Sequence, residues 1–369
     1  MTRPTLTAGA IEDRFEEVLA SGALAWPLDD APAHPGAIVL GRSREGRPVH
    51  GYRFGGSGPR VSIIGGCHAD EPVGPRLLGH LVPYLAALDP ADPLVTGLEW
   101  WVIPHINPDG AALNACWQHR GADSYSFSEY LPGRVRELPG EDIEFGFPRT
   151  PDDDEGRPEP AAAAHWWAGA GGPFDLHLTL HGMAWAGGPW FLIEPAWVER
   201  TAELRARCAR RVSELGYRLH DVERHGEKGF TRIEPGFATR PDSAAMRDHF
   251  LALDDPETAG RFRPSSMEYI RSLGGDPLTL VSEMPLFTLA RVGARLGPPD
   301  PELERWRDRI AGWTARSPDL ASDTESEAAA AGLAAMPVVD QMRLQWALIA
   351  AAIATVNSAT ADGSRTPAP

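Results

Sequence analysis

Two residues with metal-binding side chains, His68 and Glu71, lie three positions apart in the segment GGCHADEPVG. The segment follows a short apolar run, and Gly65, Gly66 and Pro72 indicate a turn there. An imidazole nitrogen and a carboxylate oxygen at this spacing can reach one cation, and both suit Zn²⁺. The pattern His-x-x-Glu also occurs by chance on surface turns, so a metal site needs a further ligand.

The third ligand is expected at the end of another strand, because a catalytic zinc takes three protein ligands and keeps one open position. The run FDLHLTLH predicts a strand that ends at His181 and breaks at Gly182, with His177, Thr179 and His181 on one face. At about 3.3 Å per residue the two histidines lie about 13 Å apart, so one metal cannot bind both. We predict His181 as the ligand. His177 is the alternative, and a histidine hydrogen-bonded at the sheet edge or to a helix is its structural interpretation.

A general base is predicted at Glu283, which follows the apolar run LTLVS and precedes Pro285. Partial burial at the exit of a strand raises the pKa of a carboxyl group toward working pH, where it can accept and return a proton. Taken alone, Glu283 also fits a solvated loop glutamate.

The candidate residues lie at the ends of predicted strands, and the order of strands and helices along the sequence predicts a sheet that brings these ends together. Apolar or alternating runs predict strands at residues 37–41, 49–54, 61–66, 99–104, 174–181 and 278–282. Helical spacing predicts helices at residues 11–20, 73–88, 196–217, 301–317 and 325–358. Pro83 predicts a kink or break in the second helix, and Pro285 the end of the last strand. The alternation indicates an α/β fold with a mixed, mostly parallel twisted sheet flanked by helices.

The remaining segments divide the chain into three regions. We predict an N-terminal helix and lead-in at residues 1–36, a catalytic domain at residues 37–358 and a disordered tail at residues 359–369. Within the domain, residues 130–164 are rich in proline, glycine and acidic side chains, which predicts an irregular surface loop.

Composition narrows the classes of function. The chain has 369 residues, 43% of them hydrophobic, and a net charge of −16, which argues against binding to nucleic acid or an anionic membrane. Three cysteines without a Cys-x-x-Cys pair favour a reducing compartment and argue against a disulfide scaffold or a cysteine-ligated zinc. No apolar run fits a signal peptide or a membrane span, so we expect a soluble, cytoplasmic protein.

Five motifs in order resemble the zinc carboxypeptidase family, the carboxypeptidase A-like metallopeptidases, from about residue 38 to residue 290. They are VLGRSREGRPV, His68-x-x-Glu71, Asn107-Pro108-Asp109-Gly110, His181 at 110 residues after Glu71, and SSMEYIRSLGGDPLTLVSE leading to Glu283. The resemblance implies the phosphorylase/hydrolase-type fold of that family. It also implies one zinc ion per chain, bound by His68, Glu71 and His181.

The resemblance further implies how the site acts. Glu283 takes a proton from the attacking water and passes it to the leaving amine, while the metal polarises the scissile carbonyl. An arginine shortly after the Asn-Pro-Asp-Gly motif stabilises the oxyanion. Arg120 is the candidate, with a surface salt-bridge arginine as its alternative interpretation.

The chain departs from the family at GEDIEFGFP, residues 140–148, which matches the family pattern Gly-x-Asp-x-Asn-Arg-x-Phe-Pro. Asp142 keeps the aspartate that orients the first zinc-binding histidine. Glu144 and Phe145 replace the Asn-Arg pair that binds a free C-terminal carboxylate. Glu144 and Glu268 are the predicted substrate-binding residues, and we expect a neutral or cationic group to be preferred over a free α-carboxylate. Should an anion be bound instead, Arg134 or Arg136 is the expected partner.

The function predicted from the sequence is therefore a zinc-dependent hydrolase of a peptide or peptide-like amide. One alternative is a deacylase of a small N-acyl amino acid, similar to succinylglutamate desuccinylase and aspartoacylase. The other is a zinc-binding module without catalysis. A base at Glu283 argues against that module, because a binding protein does not need one.

Overall fold

The computed structural model describes residues 6–24, 34–119, 121–150, 152–153, 155–221, 226–292, 301–316 and 321–361. Within these residues ten strands form one mixed sheet. They are β1 Ile38–Arg42, β2 Pro48–Gly55, β3 Arg60–Gly65, β4 Glu99–Ile103, β5 Leu176–Ala186, β6 Trp190–Ile193, β7 Arg232–Glu234, β8 Phe237–Thr239, β9 Leu278–Leu289 and β10 Leu333–Ala335.

The strand order is β1-β2-β4-β3-β5-β9-β6-β8-β7, and β10 pairs with β9. Strands β4, β3, β5 and β9 form a parallel centre, whereas β1 and β2 on one side and β6 on the other join it by antiparallel pairs. The central strands are mostly buried, as expected for parallel strands covered on both faces. The predicted mixed α/β sheet flanked by helices is confirmed.

Helices cover both faces of this sheet. In chain order they are α1 Ala8–Glu12, α2 Phe15–Ala20, α3 Val73–Ala87, α4 Pro93–Thr96, α5 Pro108–Leu113, α6 Phe127–Gly133, α7 Pro158–Ala168, α8 Ala202–Glu214, α9 Ser243–Ala252, α10 Pro256–Arg261, α11 Ser266–Ser272, α12 Pro301–Thr314, α13 Ala321–Ala331 and α14 Val338–Ala361, with 3-10 helices at Pro195–Thr201 and Glu227–Gly229. None of these helices combines the length and the apolar character needed to cross a bilayer.

The alternation of side chains along the strands separates two hydrophobic cores. Trp100 and Val102 of β4 belong to the core under α3 and α14, and Trp101 and Ile103 belong to the core under α7 and α11. Along β5 the apolar residues Leu176, Leu178 and Leu180 belong to the first core. The polar residues between them therefore face the side covered by α11.

Two strands are longer than predicted, because β5 continues through Gly182 to Ala186 and β9 continues through Pro285 to Leu289. The predicted break and stop at these residues are wrong. Both strands are held by pairing, since Gly182 lies opposite Met284 and Pro285 opposite Met183. The distal part of β9 also pairs with β10, and this added ladder outweighs the local preference of glycine and proline.

Some helix predictions are also corrected. Helix α3 runs through Pro83, and the carbonyl of Gly79 that the proline leaves free accepts a hydrogen bond from Leu24 N at 2.9 Å. Residues 130–164, predicted as irregular, contain the start of α7, where Pro158 occupies the first helical turn. The predicted helix at 325–358 is divided into α13, β10 and α14, and the residue before β10 is Gly332, with φ +98°. The N-terminal helix is divided into α1 and α2.

The predicted division of the chain at residues 36 and 358 remains a prediction. Helix α14 extends to Ala361, past the predicted start of the tail, and residues 362–369 lie outside the described residues.

Candidate metal centre

The turn after β3 carries His68 and Glu71 to the carboxyl end of the sheet. Gly66, with φ +78°, allows the chain to leave β3, and α3 begins at Val73. A Cβ on Gly74 would lie 2.3 Å from the carbonyl oxygen of Leu180, so only glycine lets α3 pack this closely on β5. This contact lies one residue before His181 and brings the turn next to it.

The side chains of His68, Glu71 and His181 converge on one point. Nδ1 of His68 lies 2.8 Å from Glu71 Oε1, and Nδ1 of His181 lies 2.9 Å from Glu71 Oε2. The two Nδ1 atoms are 3.2 Å apart. Ligand atoms around a tetrahedral zinc with bonds near 2.1 Å lie about 3.4 Å apart, so small movements would suffice to bind one ion.

The electrostatics of these three groups are dominated by their mutual contact. Burial lowers the pKa of His68, but the charge and hydrogen bond of Glu71 outweigh it and raise the pKa to about 9. Burial raises the pKa of Glu71, yet the two histidines hold that pKa well below its usual range. The pKa of His181 is also raised, because its hydrogen bonds outweigh burial. The carboxylate is thus kept ionised, and it attracts positive charge.

Glu283 lies directly opposite His181 in the β5–β9 ladder and lines the same cavity as the three convergent residues. Burial, followed by the negative charge of Glu71, raises its pKa to about 8. A cation at the convergent site would lower this pKa again, because it favours the ionised form. Glu283 is therefore a partly buried carboxyl group at the cavity wall that can take up and release a proton.

Behind His181, its Nε2 atom contacts a second polar group. Nε2 lies 2.7 Å from Thr179 Oγ1 and 3.3 Å from Glu144 Oε2. Glu144 also accepts hydrogen bonds from the hydroxyls of Thr179 at 3.4 Å and Ser266 at 3.2 Å. Both carboxylate oxygens are thus engaged. The sequence predicted that Glu144 binds substrate, whereas in the structure its carboxylate contacts His181.

His177 lies deeper along the same face of β5. Its Nδ1 is 3.1 Å from Ser62 Oγ, and its Nε2 is 3.1 Å from Ser266 Oγ on α11. Burial lowers its pKa to about 3, so the ring is neutral. The structure does not bring His177 to the convergent site, and its partners match the structural interpretation of this histidine.

Cys67, Glu144 and His181 form a second group whose candidate ligand atoms lie within 4.8 Å of one another. Burial, and then the charge of Glu144, raise the pKa of the Cys67 thiol to about 12, whereas metals bind the thiolate. His68, Glu71 and His181 line the cavity, but Cys67 does not. Because a catalytic metal keeps a position open to substrate, the first group is the better candidate.

Two other predicted residues have structural contacts. Asp142 lines the cavity and accepts a hydrogen bond from Phe145 N at 2.9 Å; burial raises its pKa, and the charge of His68 opposes this shift. Glu268 accepts from the backbone N–H of Ser265 at 2.8 Å and from the hydroxyl of Ser243 at 2.8 Å. It closes a capping box at the start of α11 and is absent from the cavity wall, so its prediction as a substrate-binding residue is corrected. The pattern Ser-x-x-Glu was the sequence signal for this cap.

Arg136 was named in the sequence only as an alternative anion partner, yet it lies at the candidate centre. Its Nη2 is 3.6 Å from Glu71 Oε1, and it lines the cavity. The neighbouring Glu137 holds this segment in place by accepting from Ala69 N at 3.1 Å and from the side chain of Asn107. Arg120, the predicted oxyanion residue, lies outside the described residues.

Two of the sequence motifs are tied to each other. Asp109 of the Asn-Pro-Asp-Gly motif accepts from Ser43 Oγ at 2.6 Å, from Arg47 Nη1 at 2.8 Å and from Glu45 N at 3.0 Å. These donors belong to the turn between β1 and β2. Asn107 caps α5 by accepting from Gly110 N at 2.9 Å. The lead-in and the second motif therefore form one structural unit that supports the segment carrying Arg136.

Comparison with known proteins agrees with this arrangement. A sequence model of the family described as zinc carboxypeptidase matches residues 31–125, which include the β1–β2 turn, His68, Glu71 and the Asn-Pro-Asp-Gly motif. The predicted resemblance to the zinc carboxypeptidase family is confirmed.

Two curated relatives fit this family. The chain is 31% identical to zinc carboxypeptidase A 1 of Anopheles gambiae over 105 residues, which are 26% of this chain and 24% of the relative. It is 28% identical to carboxypeptidase D of Drosophila melanogaster over 195 residues, which are 47% of this chain and 13% of the relative. The chain thus spans less than a quarter of the length of these relatives.

Solved structures of metallocarboxypeptidases also resemble the chain. The metallo-carboxypeptidase from Burkholderia cenocepacia is 17% identical, with a TM-score of 0.42, over 88% of this chain and 65% of that one. Carboxypeptidase A from Helicoverpa armigera is 12% identical, with a TM-score of 0.40, over 94% of this chain and 73% of that one.

The side chains of His68, Glu71, His181 and Glu283 line a cavity of about 550 Å³, a volume in the range of sites that bind small molecules. Its lining includes ten side chains that can carry a charge: His68, Glu71, Arg134, Arg136, Glu137, Asp142, Glu144, His181, the single lysine Lys228 and Glu283. It also includes six phenylalanine and tryptophan side chains: Phe145, Trp185, Trp190, Phe230, Phe250 and Phe262.

Proposed function

We propose that the chain is a zinc-dependent hydrolase of peptide or peptide-like amide bonds. The observation that carries the proposal is the convergence of His68 Nδ1, the Glu71 carboxylate and His181 Nδ1 within 4.8 Å at the wall of a cavity that Glu283 also lines. Two imidazoles and one carboxylate are a ligand set of catalytic zinc sites in hydrolases, and the open side toward the cavity leaves room for substrate.

A zinc ion held by these three residues would polarise the scissile carbonyl and lower the pKa of the attacking water. Glu283 then accepts the proton of that water and delivers it to the nitrogen of the leaving amine. Its partial burial supports this role, because a carboxyl group whose pKa is raised can both take up and release a proton.

We assign stabilisation of the oxyanion to Arg136. Loss of contact with water lowers the pKa of Arg136, but the charges of Glu71 and Asp70 outweigh this effect and raise the pKa, so the half-exposed guanidinium at the cavity wall stays charged. A fixed positive charge beside the scissile bond stabilises the negative charge that develops on the carbonyl oxygen. Arg120 remains the alternative that the resemblance implies.

Glu144 acts in this proposal as a positioning residue for His181. Its carboxylate, on the side of the ring away from Glu71, fixes the ring orientation and favours a protonated Nε2, which leaves Nδ1 for the metal.

We expect Glu144→Gln to bind zinc about 10- to 100-fold more weakly, since loss of a carboxylate behind a metal-binding histidine has this effect. Competition with a chromophoric chelator measures the affinity. Glu129→Gln, at an exposed ion pair with His119, is the matched control and should bind zinc like the wild type. An unchanged zinc affinity in Glu144→Gln would remove Glu144 from this role.

The proposed function is tested by metal content and bond cleavage together. Purified protein should contain about one zinc per chain. Mass spectrometry of peptides with free, amidated and acylated termini should show cleavage of a peptide amide that a chelator abolishes and zinc restores. Cleavage restricted to small N-acyl amino acids would favour the deacylase alternative. Zinc-loaded protein that cleaves nothing in either group would favour a binding module.

A further inference from the structure

A buried glutamine of helix α14 contacts the two strands that carry His181 and Glu283. Nε2 of Gln345 donates to the carbonyl oxygen of His181 at 3.2 Å and to Oγ of Ser282, the residue before Glu283, at 3.1 Å. Ser282 shares a face of β9 with Leu280, which belongs to the core under α3 and α14. Gln345 therefore approaches from the face of the sheet opposite to the cavity, and it is not among the described residues that line the cavity.

The chemistry of the two acceptors fixes the orientation of this amide. A main-chain carbonyl only accepts hydrogen bonds, so the nitrogen of the Gln345 amide, and not its oxygen, must face His181. The same nitrogen has a second hydrogen for the hydroxyl of Ser282. The neighbours Leu344 and Trp346 are buried and apolar, and an amide buried among such side chains lowers stability unless it is hydrogen-bonded. One side-chain group thus joins β5 and β9 at the candidate centre.

The bond to His181 lies where β5 loses one of its neighbouring strands. Strand β3 pairs with β5 from Leu176 to Leu180, and its last pair is Gly65 with Leu180. From His181 onward, β9 is the strand that remains paired with β5 in the described part of the chain. Gln345 therefore adds support to the main chain of the candidate zinc ligand at the point where support from β3 ends.

We propose that Gln345 is a positioning residue of the candidate centre. From outside the cavity it fixes the main chain at His181 and Ser282, and thereby the spacing between the His181 ring and the Glu283 carboxylate. Residues behind metal ligands typically change metal affinity or activity by about 10- to 100-fold, and a misplacement of about 1 Å can lower a rate about 10²-fold. The effect on turnover rests on the proposed hydrolase function, whereas the effect on zinc binding rests on the convergent site alone.

The same helix provides a matched control. Gln341 lies one turn earlier on α14, is equally buried, and donates from Nε2 to the carbonyl oxygen of Met336 at 2.8 Å. In both glutamines Oε1 is buried without a hydrogen-bond partner among the described residues. Met336 precedes α14 and is not part of the described cavity lining. The two glutamines therefore differ mainly in what their amides hold, and an effect on stability alone should appear in both.

Gln345→Met and Gln341→Met remove the donor and keep a side chain of similar length. We expect Gln345→Met to bind zinc about tenfold more weakly in competition with a chromophoric chelator, and Gln341→Met to bind it like the wild type. The visible spectrum of the Co²⁺-substituted protein, which reports the geometry of the metal ligands, should change in the first variant only. Gln345→Leu, with a shorter apolar side chain, is a second variant with the same expected results.

Three results would overturn the proposal. The first is wild-type zinc affinity with an unchanged cobalt spectrum in the Gln345 variants. The second is an equal effect of substitution at Gln341 and Gln345. The third is failure of both Gln345 variants to fold beside a folded Gln341→Met, measured by circular dichroism, because Gln345 would then be required for the fold and not for the geometry of the centre.

A kinetic comparison distinguishes failure of this proposal from failure of the proposed function. On an amide that the zinc-loaded wild type cleaves, Gln345→Met should lower kcat about tenfold with little change in KM, because Gln345 acts on the reacting groups and not on the cavity wall. Cleavage at the wild-type rate by the zinc-loaded variant would contradict the positioning role and leave the hydrolase intact. If no amide is cleaved, the proposed hydrolase fails, and zinc affinity and the cobalt spectrum still decide the role of Gln345.

Discussion

Glu283→Gln is expected to lower kcat/KM by about 10²- to 10⁴-fold, because proton transfer by a positioned carboxylate contributes this much. Glutamine has nearly the same size as glutamate but cannot accept the proton of the attacking water. Glu283 is also partly buried, with a raised pKa, so its replacement removes a group that is costly to ionise and should not destabilise the fold.

The decisive comparison is between turnover and zinc content in the same preparation. Glu283→Gln should retain the zinc of the wild type, measured by elemental analysis, and its thermal midpoint should not fall. Glu234, on strand β7, forms an ion pair with Arg205 of α8. The variant Glu234→Gln is the matched control and should keep full activity. Activity of Glu283→Gln within a few-fold of wild type would exclude Glu283 as the base.

His181→Ala should lose most of its zinc, whereas His177→Ala should retain it. His181 presents Nδ1 to His68 and Glu71, and His177 instead spans Ser62 and Ser266. The free energy of unfolding of the His177 variant should be lower than that of the wild type by about 1–3 kcal/mol, because the substitution leaves buried hydroxyls without a partner. Elemental analysis and denaturant unfolding measure the two effects.

His68→Ala provides a positive control for zinc loss in this pair. Full zinc in His181→Ala together with loss in His177→Ala would reverse the assignment of the third ligand. Loss of zinc in both histidine variants, with both folded, would show that the buried contacts of His177 and Ser266 are required to hold the site.

The convergent residues could be predicted from the sequence because each lies near the point where a central strand reaches the carboxyl end of the sheet. The run before His68 and the run before His181 are short, apolar and bounded by glycine, and parallel strands end at the same edge. The rise per residue of a strand separates His177 from His181 by about 13 Å, and the choice of His181 followed from its position at the predicted end of the strand. Local rules were sufficient here because they agree with the tertiary structure.

The contact of Glu144 with His181 could not be predicted from local sequence rules. Its contacts, Thr179 and Ser266, lie 35 and 122 residues away, so only the packing of α11 on β5 brings them together. The segment that carries Arg136 is held by its neighbour Glu137, which accepts hydrogen bonds from Ala69 and Asn107 in two other segments of the chain. By contrast, the cap formed by Glu268 was visible in the sequence as Ser-x-x-Glu.

The ends of β5 and β9 show a different reason for failure. Glycine and proline at Gly182 and Pro285 predict breaks from local preference alone. In the structure each lies opposite a residue of the neighbouring strand, and β10 extends the ladder from the far end of the chain. Pairing between segments that are distant in sequence stabilises a strand by more than one unfavourable residue destabilises it.

The pairing of His181 with Glu283 gives the site a modular construction. The two residues are fixed by the β5–β9 ladder, and a slip of one position would turn both away from the cavity. Arg136, Glu144 and Phe145 instead belong to the described part of residues 134–157, which contains no helix or strand. Substitution of Phe145 can alter what the cavity accepts while the β5–β9 ladder keeps the spacing of His181 and Glu283, whereas Arg136 and Glu144 have roles at the centre itself. A library confined to residues 139–148 that keeps Asp142 and Glu144 unchanged is therefore the natural starting point for changing the specificity of this protein.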